Sequence, residues 1–373
     1  MKRFSKFLTV LLVVSMILPG IAQAAPVVTA ESSAVQRLAG KGREETAVAA
    51  SEMAYKDGAE NVVLVGYNGE VDALTGTLLA NAKKAPLLIT NQASLTETTK
   101  KEIARLKAKN VYILGGENVV SEEVEIELKA LKYNVKRIEG ADREKTAIAV
   151  AKEVGGTINH VFLAKGYDIY ADALSVGPVS AIKNMPVFLT NTNSMTPATI
   201  QAMKDLGVKE VTIVGGEKTV TKKVEDQLKG IKINRISGDD REKTALAVAD
   251  KFFPSTETSI LASGYIFADA LVGGYIGAKM NAPILLTNTN LISAETEEFI
   301  ADNSLKIYVL GGEKVVSDKV LKKIEAAVKA EKASDITVNE TIKLNRNYNS
   351  VKVTANNIVV DLGGKTVKEL TVS

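Results

Sequence analysis

The chain has no cysteine in 373 residues. That excludes disulfides, thiolate nucleophiles, thiolate metal sites and a lipid-bearing cysteine. Histidine occurs once, at His160, so neither a His-based triad nor a His-bearing metal site can be assembled. Carboxylates and lysines remain, which leaves a Glu/Asp hydrolase formally open. No cofactor and no metal are expected. An excess of one charge is also lacking: 47 Lys+Arg face 44 Asp+Glu, and the N-terminal leader supplies Lys2, Arg3 and Lys6 with no acid. Without the leader the charges balance, so nucleic acid is not expected and an anionic partner must be met by a local basic arrangement. Long apolar runs are scarce too. The run from Phe7 to Ile21 falls short of the roughly 20 residues a spanning helix needs. It is followed by Ala22-Gln23-Ala24, so residues 1–24 are expected to be a signal peptide cleaved after Ala24. No membrane partner is expected after cleavage. The end of the chain, Lys368 to Ser373, offers no hydrophobic tail for sorting, so the exported chain is expected to be released or held noncovalently.

The balance of 46% hydrophobic and 24% charged residues is that of a globular protein. Its dominant feature is repetition. Arg-x-x-Gly-x-x-Arg-Glu-x-Thr-Ala begins at Arg37, Arg137 and Arg235. Each occurrence is followed by Gly-Tyr, by Asp-Ala-Leu, by Pro plus three apolar residues plus Thr-Asn, and by Gly-Gly-Glu. A repeat of about a hundred residues is a domain rather than a solenoid unit. Within the first copy Val62–Val65, Leu87–Ile89 and Val111–Leu114 are unbroken apolar runs, which predict strands buried on both faces of a parallel sheet. Asn134–Ile138 is expected to close one copy and feed the next. Val124, Leu128 and Leu131 predict an amphipathic helix entered at Ser121. Thr96, Thr196 and Ser293 are expected helix caps, with Pro197 at a first helical position. The alternation implies an α/β fold with helices on both faces of each sheet. The modules are placed at 35–136, 137–234 and 235–330 without linkers. Residues 331–373 change to β-branched alternation and form a short β-rich segment, expected to belong to an effector region.

The recurring polar residues all follow the C-terminal ends of predicted strands, where open parallel sheets hold ligands. Arg43, Arg143 and Arg241 gain nothing from a helix dipole one turn from the N-terminus. Ion pairing between modules and binding of a polyanion stand level as their roles. Tyr67, Tyr167 and Tyr265 could stack on sugar rings, or pack half-buried. Thr90-Asn91, Thr190-Asn191 and Thr287-Asn288 follow the third strand of each copy. The Gly-Gly pairs are expected to turn the chain from strand to helix, and Asp72, Asp172 and Asp269 to cap helices before serving a ligand. His160 is placed at a strand entry, away from the crevice, in a structural role.

These ordered motifs, Arg-Ile-x-Gly-x-Asp-Arg-x-x-Thr-Ala, Asp-Ala-Leu, Pro-x-Leu-Leu-Thr-Asn and Leu-Gly-Gly-Glu, resemble the cell wall binding repeat 2 family over residues 35 to 330. The resemblance implies three Rossmann-like or toprim-like modules around a pseudo-threefold axis, in secreted surface proteins of Gram-positive bacteria. It implies noncovalent binding of an anionic secondary wall polymer and a separate effector region. On that basis Arg43, Arg143, Arg241, Tyr67, Tyr167, Tyr265, Asp172, Asp269 and the three Thr-Asn pairs are the expected polymer-binding residues, and the chain is expected not to be an enzyme. The first copy departs from the pattern. Gly42 replaces the acid seen as Asp142 and Asp240, and Glu70-Val71 replaces Tyr170-Ala171 and Phe267-Ala268, which predicts a weaker glycan platform. Glu44, Glu144 and Glu242 stand where the family often has an aromatic. An exported wall hydrolase is the competing reading, and a small-ligand receptor with one deep cleft is a third.

Overall fold

The computed structural model describes residues 34–168, 170–332, 335–338, 342–343, 348–353, 360–361 and 367–372. The expected cleavage point and the rest of the C-terminal segment lie outside the described residues. The chain runs β1 (Val35–Leu38), α1 (Arg43–Ala54), β2 (Asn61–Gly66), α2 (Glu70–Lys83), β3 (Leu87–Thr90), α3 (Glu97–Arg105), β4 (Asn110–Leu114) and α4 (Glu122–Ala130). The second copy gives β5 (Asn134–Ile138), α5 (Arg143–Val154), β6 (His160–Lys165), α6 (Ala171–Ser175), α7 (Gly177–Lys183), β7 (Val187–Thr190), α8 (Pro197–Asp205), β8 (Glu210–Val214) and α9 (Lys222–Glu225). The third gives β9 (Lys232–Ile236), α10 (Arg241–Phe252), β10 (Thr258–Ser263), α11 (Phe267–Ala270), α12 (Gly273–Met280), β11 (Ile284–Thr287), α13 (Ala294–Asn303), β12 (Lys306–Leu310) and α14 (Asp318–Lys332).

These strands form three four-stranded parallel sheets, ordered β3-β2-β4-β5, β7-β6-β8-β9 and β11-β10-β12-β1. Sheets and copies are therefore out of step by one strand. β5 completes the first sheet and β9 the second, and β1, at the start of the chain, completes the third by pairing with β12. The chain closes into a ring of three. The sheet edges fall at the ends of β5 and β9, a few residues beyond the module limits drawn at 136 and 234.

Alternate residues of each central strand enter two different cores, which is why the runs are unbroken. Val63 and Val65 of β2, Phe162 and Ala164 of β6, and Ile260 and Ala262 of β10 all join one apolar cluster shared by the three modules. Val62 and Leu64, Val161 and Leu163, and Leu261 face separate outer clusters beneath each module's own helices. On the axis, Thr77 of α2, Gly177 of α7 and Gly274 of α12 hold equivalent places in the three copies and meet. A Cβ on Gly177 would sit 3.4 Å from the Gly274 Cα, and one on Gly274 would collide with the Thr77 hydroxyl. The glycines let the three helices close on one another.

Two caps form as expected, with Thr196 and Ser293 accepting from the third helical N–H. Thr96 and Ser121 hold the cap position without that bond; the Thr96 hydroxyl is given to Thr99 instead. Leu131, expected on the core face, follows the end of α4 and is 39% exposed. In the tail, β13 (Asp335–Val338), β14 (Ile342–Lys343), β15 (Tyr348–Val353), β16 (Val360–Asp361) and β17 (Val367–Val372) pair in parallel as β13-β15-β17 and β14-β16.

Candidate ligand clefts at the module junctions

Each junction is built on the turn from a sheet's last strand into the next helix. At the first, the Thr146 hydroxyl accepts from Gly140 N–H at 3.1 Å and donates to the Asp142 carbonyl at 3.2 Å. The Asp142 carboxylate caps α5 by accepting from Lys145 N–H at 2.8 Å. Gly238, Asp240 and Thr244 repeat the arrangement. Gly40 and Thr46 keep the hydroxyl bonds, but Gly42 leaves α1 without a side-chain cap.

The arginine that opens α5 points back over its own module. Arg143 donates to the Gly166 carbonyl at 2.6 Å, and its guanidinium lies 4.8 Å from the Tyr167 ring centre. Arg43 bonds the Tyr67 carbonyl at 3.2 Å and lies 4.9 Å from the Tyr67 ring. Arg241 bonds the Gly264 carbonyl and lies 4.3 Å from the Tyr265 ring. The cation–π contact holds each pair together as a unit. Tyr67 and Tyr167 donate their hydroxyls to Glu44 and Glu144, and Glu144 also accepts from Thr196 and Thr199. Those bonds give Glu44 and Glu144 a structural reason to stand where the family often has an aromatic.

Asp72, Asp172 and Asp269 are not helix caps; the cap positions belong to Gly69, Tyr170 and Ile266. Each carboxyl instead crosses to the next module. Asp72 faces Thr146 and Arg143, Asp172 faces Thr244 and Arg241, and Asp269 faces Thr46 and Arg43. Burial pushes the Asp72 carboxyl up to about 6, against the opposing pull of Thr146 and Arg143, and raises the other two likewise. Room for these carboxyls comes from Gly115, Gly215 and Gly311, which sit at φ 97°, 106° and 91°. A Cβ there would lie 2.6–2.9 Å from the aspartate oxygen, so each Gly-Gly pair both turns the chain and admits the acid.

Clefts open at the first two of these junctions. One of about 370 Å³ is lined by Asp72, Gly116, Asp142, Arg143, Thr146 and Tyr167, and one of about 460 Å³ by Asp172, Gly216, Lys218, Asp240, Arg241 and Thr244. The predicted Thr-Asn pairs line neither. Thr90, Thr190 and Thr287 are fully buried, each donating to a carbonyl four residues on at 2.9–3.1 Å. Asn91 and Asn288 accept from N–H groups two residues on, and Asn191 N–H bonds the Ser194 carbonyl. These six residues brace the loop after the third strand.

A family model described as cell wall binding domain 2 matches residues 37–125, 137–225 and 235–321, most of the chain. The chain belongs to the cell wall binding domain 2 family. It is accordingly a secreted, cell wall or surface-associated protein that binds the wall. Among curated relatives it is 33% identical over 320 residues to N-acetylmuramoyl-L-alanine amidase LytC of Bacillus subtilis (strain 168), covering 86% of this chain and 63% of that protein. It is 30% identical over 283 residues to the Amidase enhancer of the same organism, covering 75% and 39%. Of solved structures, Cwp6 from Clostridium difficile superposes with a TM-score of 0.73 at 28% identity over 87% of this chain and 55% of that one. Cwp8 from Clostridium difficile gives 0.72 at 31% over 80% and 52%. The chain thus spans less than two thirds of each of these relatives.

Within the family frame, the first copy's departure has a structural cause. Glu70, Tyr170 and Phe267 occupy equivalent positions: Tyr170 donates to Glu70, its ring lies 4.7 Å from that of Phe267, and Glu70 is 3.8 Å from Arg43. Glu70 is therefore a partner of the neighbouring aromatic rather than a missing platform. Reading the sequence assigned no task to the first arginine of the motif. Arg137 donates to the carbonyls of Gly115 at 3.0 Å and Val120 at 2.8 Å and pairs with Glu125 at 2.8 Å. Arg235 does the same to Gly215, Val220 and Glu225, and Arg37 to Gly311, Val316 and Asp318. These arginines fasten the three Gly-Gly loops, two of which wall the clefts at Gly116 and Gly216. His160 is structural, its Nε2 2.8 Å from the Thr212 hydroxyl.

Proposed function

We propose that the chain is a non-enzymatic anchor that holds a surface protein on the wall by binding an anionic secondary wall polymer at the junction clefts. The observation that carries this reading is the threefold recurrence of one Arg–Tyr pair, two of whose arginines, Arg143 and Arg241, line clefts shared by two modules. The guanidinium spends one donor on a backbone carbonyl. A guanidinium has five N–H groups, and the rest can meet phosphate or carboxylate oxygens. The tyrosine beneath it offers an apolar face to a sugar ring, while the arginine is fixed in place before the ligand arrives.

Sedimentation with purified walls, before and after extraction of the anionic polymers, tests the reading. Binding should be lost on extraction and should fall with salt, because screening is strong beyond ~8 Å at 0.15 M. Arg143→Ala and Arg241→Ala should each weaken binding about tenfold, as expected for a charge-assisted contact. Arg43→Ala should cost less because Glu70 already neutralises part of that charge. Unchanged affinity in variants that melt normally would assign the arginines to holding the modules together. The likeness to an amidase and an amidase enhancer favours a second reading, in which the chain is the wall-binding part of a wall-cleaving system. Faster release of new amino groups from purified walls by an added wall amidase when this chain is present would favour it over the anchor.

A further inference from the structure

Three junctions join the ring, and only two are covalently continuous. β5 runs through Gly140 into α5, and β9 through Gly238 into α10. The third junction is made by contact alone. Ile307 N–H donates to the Ala34 carbonyl at 2.8 Å and Gly311 N–H to the Leu38 carbonyl at 2.9 Å. Arg37 grips Gly311, Val316 and Asp318, and Asp269 faces Thr46 and Arg43. This seam is also the least protected of the three. α1 has no side-chain cap. Asp318, the acid that Arg37 grips, is 55% exposed where Glu125 and Glu225 are 17% and 23%. The connection Gly40-Lys41-Gly42 is exposed throughout.

We propose that this seam is an exchangeable junction and that the partner it fits is a second copy of the chain, with β1 of one molecule completing the third sheet of another. Displacing β1 bares the edge of β12, whose unpaired N–H and C=O groups then template a new strand. The strand that fits is β1 itself: Val35 and Leu38 for the buried positions and Arg37 for the Gly311 loop. Exchange between copies re-forms every contact that β1 makes with β12 and the Gly311 loop. A molecule closes on itself only because its own strand is present at an effective concentration of about millimolar, the range for a short flexible connection. Exchange of an identical element is for that reason a low-cost route to dimers. None of this depends on what the clefts bind.

The absence of cysteine makes the test clean. Gln36 of β1 pairs with Tyr308 of β12, and strands about 4.8 Å apart lie within disulfide reach. Copies carrying Gln36→Cys and copies carrying Tyr308→Cys are unfolded, mixed, refolded together at rising concentration and oxidised. Mixed disulfide dimers, identified by mass, are expected to grow with concentration towards about a quarter of the protein near millimolar, since about half is then exchanged and half of the exchanged dimers pair unlike copies. A chain carrying both substitutions, refolded at micromolar concentration, should close as a disulfide-linked monomer. Mixing Gln36→Cys with a variant at the exposed Lys204, Lys204→Cys, gives the collision background. The proposal is overturned if the double variant closes on itself while the mixed pair never exceeds that background. It is equally overturned if the double variant fails to close, because the seam itself would then be absent.

Discussion

Asp72 is buried opposite Thr146 and Arg143, and burial outweighs both, lifting its carboxyl from an ordinary 3.8 to about 6. The folded state therefore holds the proton more tightly than the unfolded chain. The stability this gives is fully present below about pH 4 and is lost as pH rises through about 6, a difference on the order of 3 kcal/mol. Asp72→Asn is expected to raise the melting temperature at pH 7.5, to change it little at pH 4, and to flatten the profile between. A melting series across pH checks this, and a loss of stability at pH 7.5 would show that the ionised acid is an attractive partner of Arg143. A second residue-scale expectation follows from Asp142, whose carboxylate caps α5. Asp142→Ala should cost about 1 kcal/mol in denaturant unfolding and Asp142→Gly only a few tenths, because glycine is a tolerated cap. Equal losses from both would place the value of Asp142 in its ion pair with Lys145 at 3.1 Å rather than in the cap. A small glycine penalty is also how the first copy retains Gly42.

At the scale of elements, strands were the most legible part of the sequence. Asn134–Ile138 forms β5 as predicted, and the runs at 62–65, 87–89 and 111–114 lie inside β2, β3 and β4. Their continuity reflects two cores, one on each face, which periodicity registers directly. Pairing across the ring was not legible. Nothing local in Val35–Leu38 says that its partner is β12, since the same strand in the other copies pairs with the strand preceding it in the chain. The site divides the same way. The recurrence of Arg43, Arg143 and Arg241 with Tyr67, Tyr167 and Tyr265 marked real pairs, because a repeated motif preserves contacts made within one copy. The aspartates were read as caps because their partners belong to the following copy, and short-range spacing cannot carry that information. The Thr-Asn pairs, read as polymer-binding, line neither cleft and brace their own loop. A loop that braces itself recurs as faithfully as one that binds.

The three modules are joined by the shared cluster, which lies inside the three separate outer ones. Leu79, Phe162, Leu189 and Ile260 belong to one apolar body, and α2, α7 and α12 meet at Thr77, Gly177 and Gly274 on the axis. A side chain placed there must push the helices of all three modules apart, because interiors packed to crystal density relax little. Gly274→Leu is therefore expected to cost more than the 1–3 kcal/mol usual for overpacking one core, and to spread that cost over every sheet. Native-state hydrogen exchange resolves where the loss falls: protection should drop together in β2, β6 and β10, although the substitution lies in the third copy alone. Loss of protection confined to β10, β11 and β12 would mean that the copies unfold one at a time and that the axis is a surface contact. A matched substitution in an outer cluster, Ile300→Ala, supplies the comparison, since Ile300 belongs to the third sheet's outer cluster and not to the shared one. Its cost of about 2–5 kcal/mol should lower the global stability in denaturant. If the ring is one cooperative unit, the slowest-exchanging amides of β2 and β6 should then fall by the same amount as those of β10.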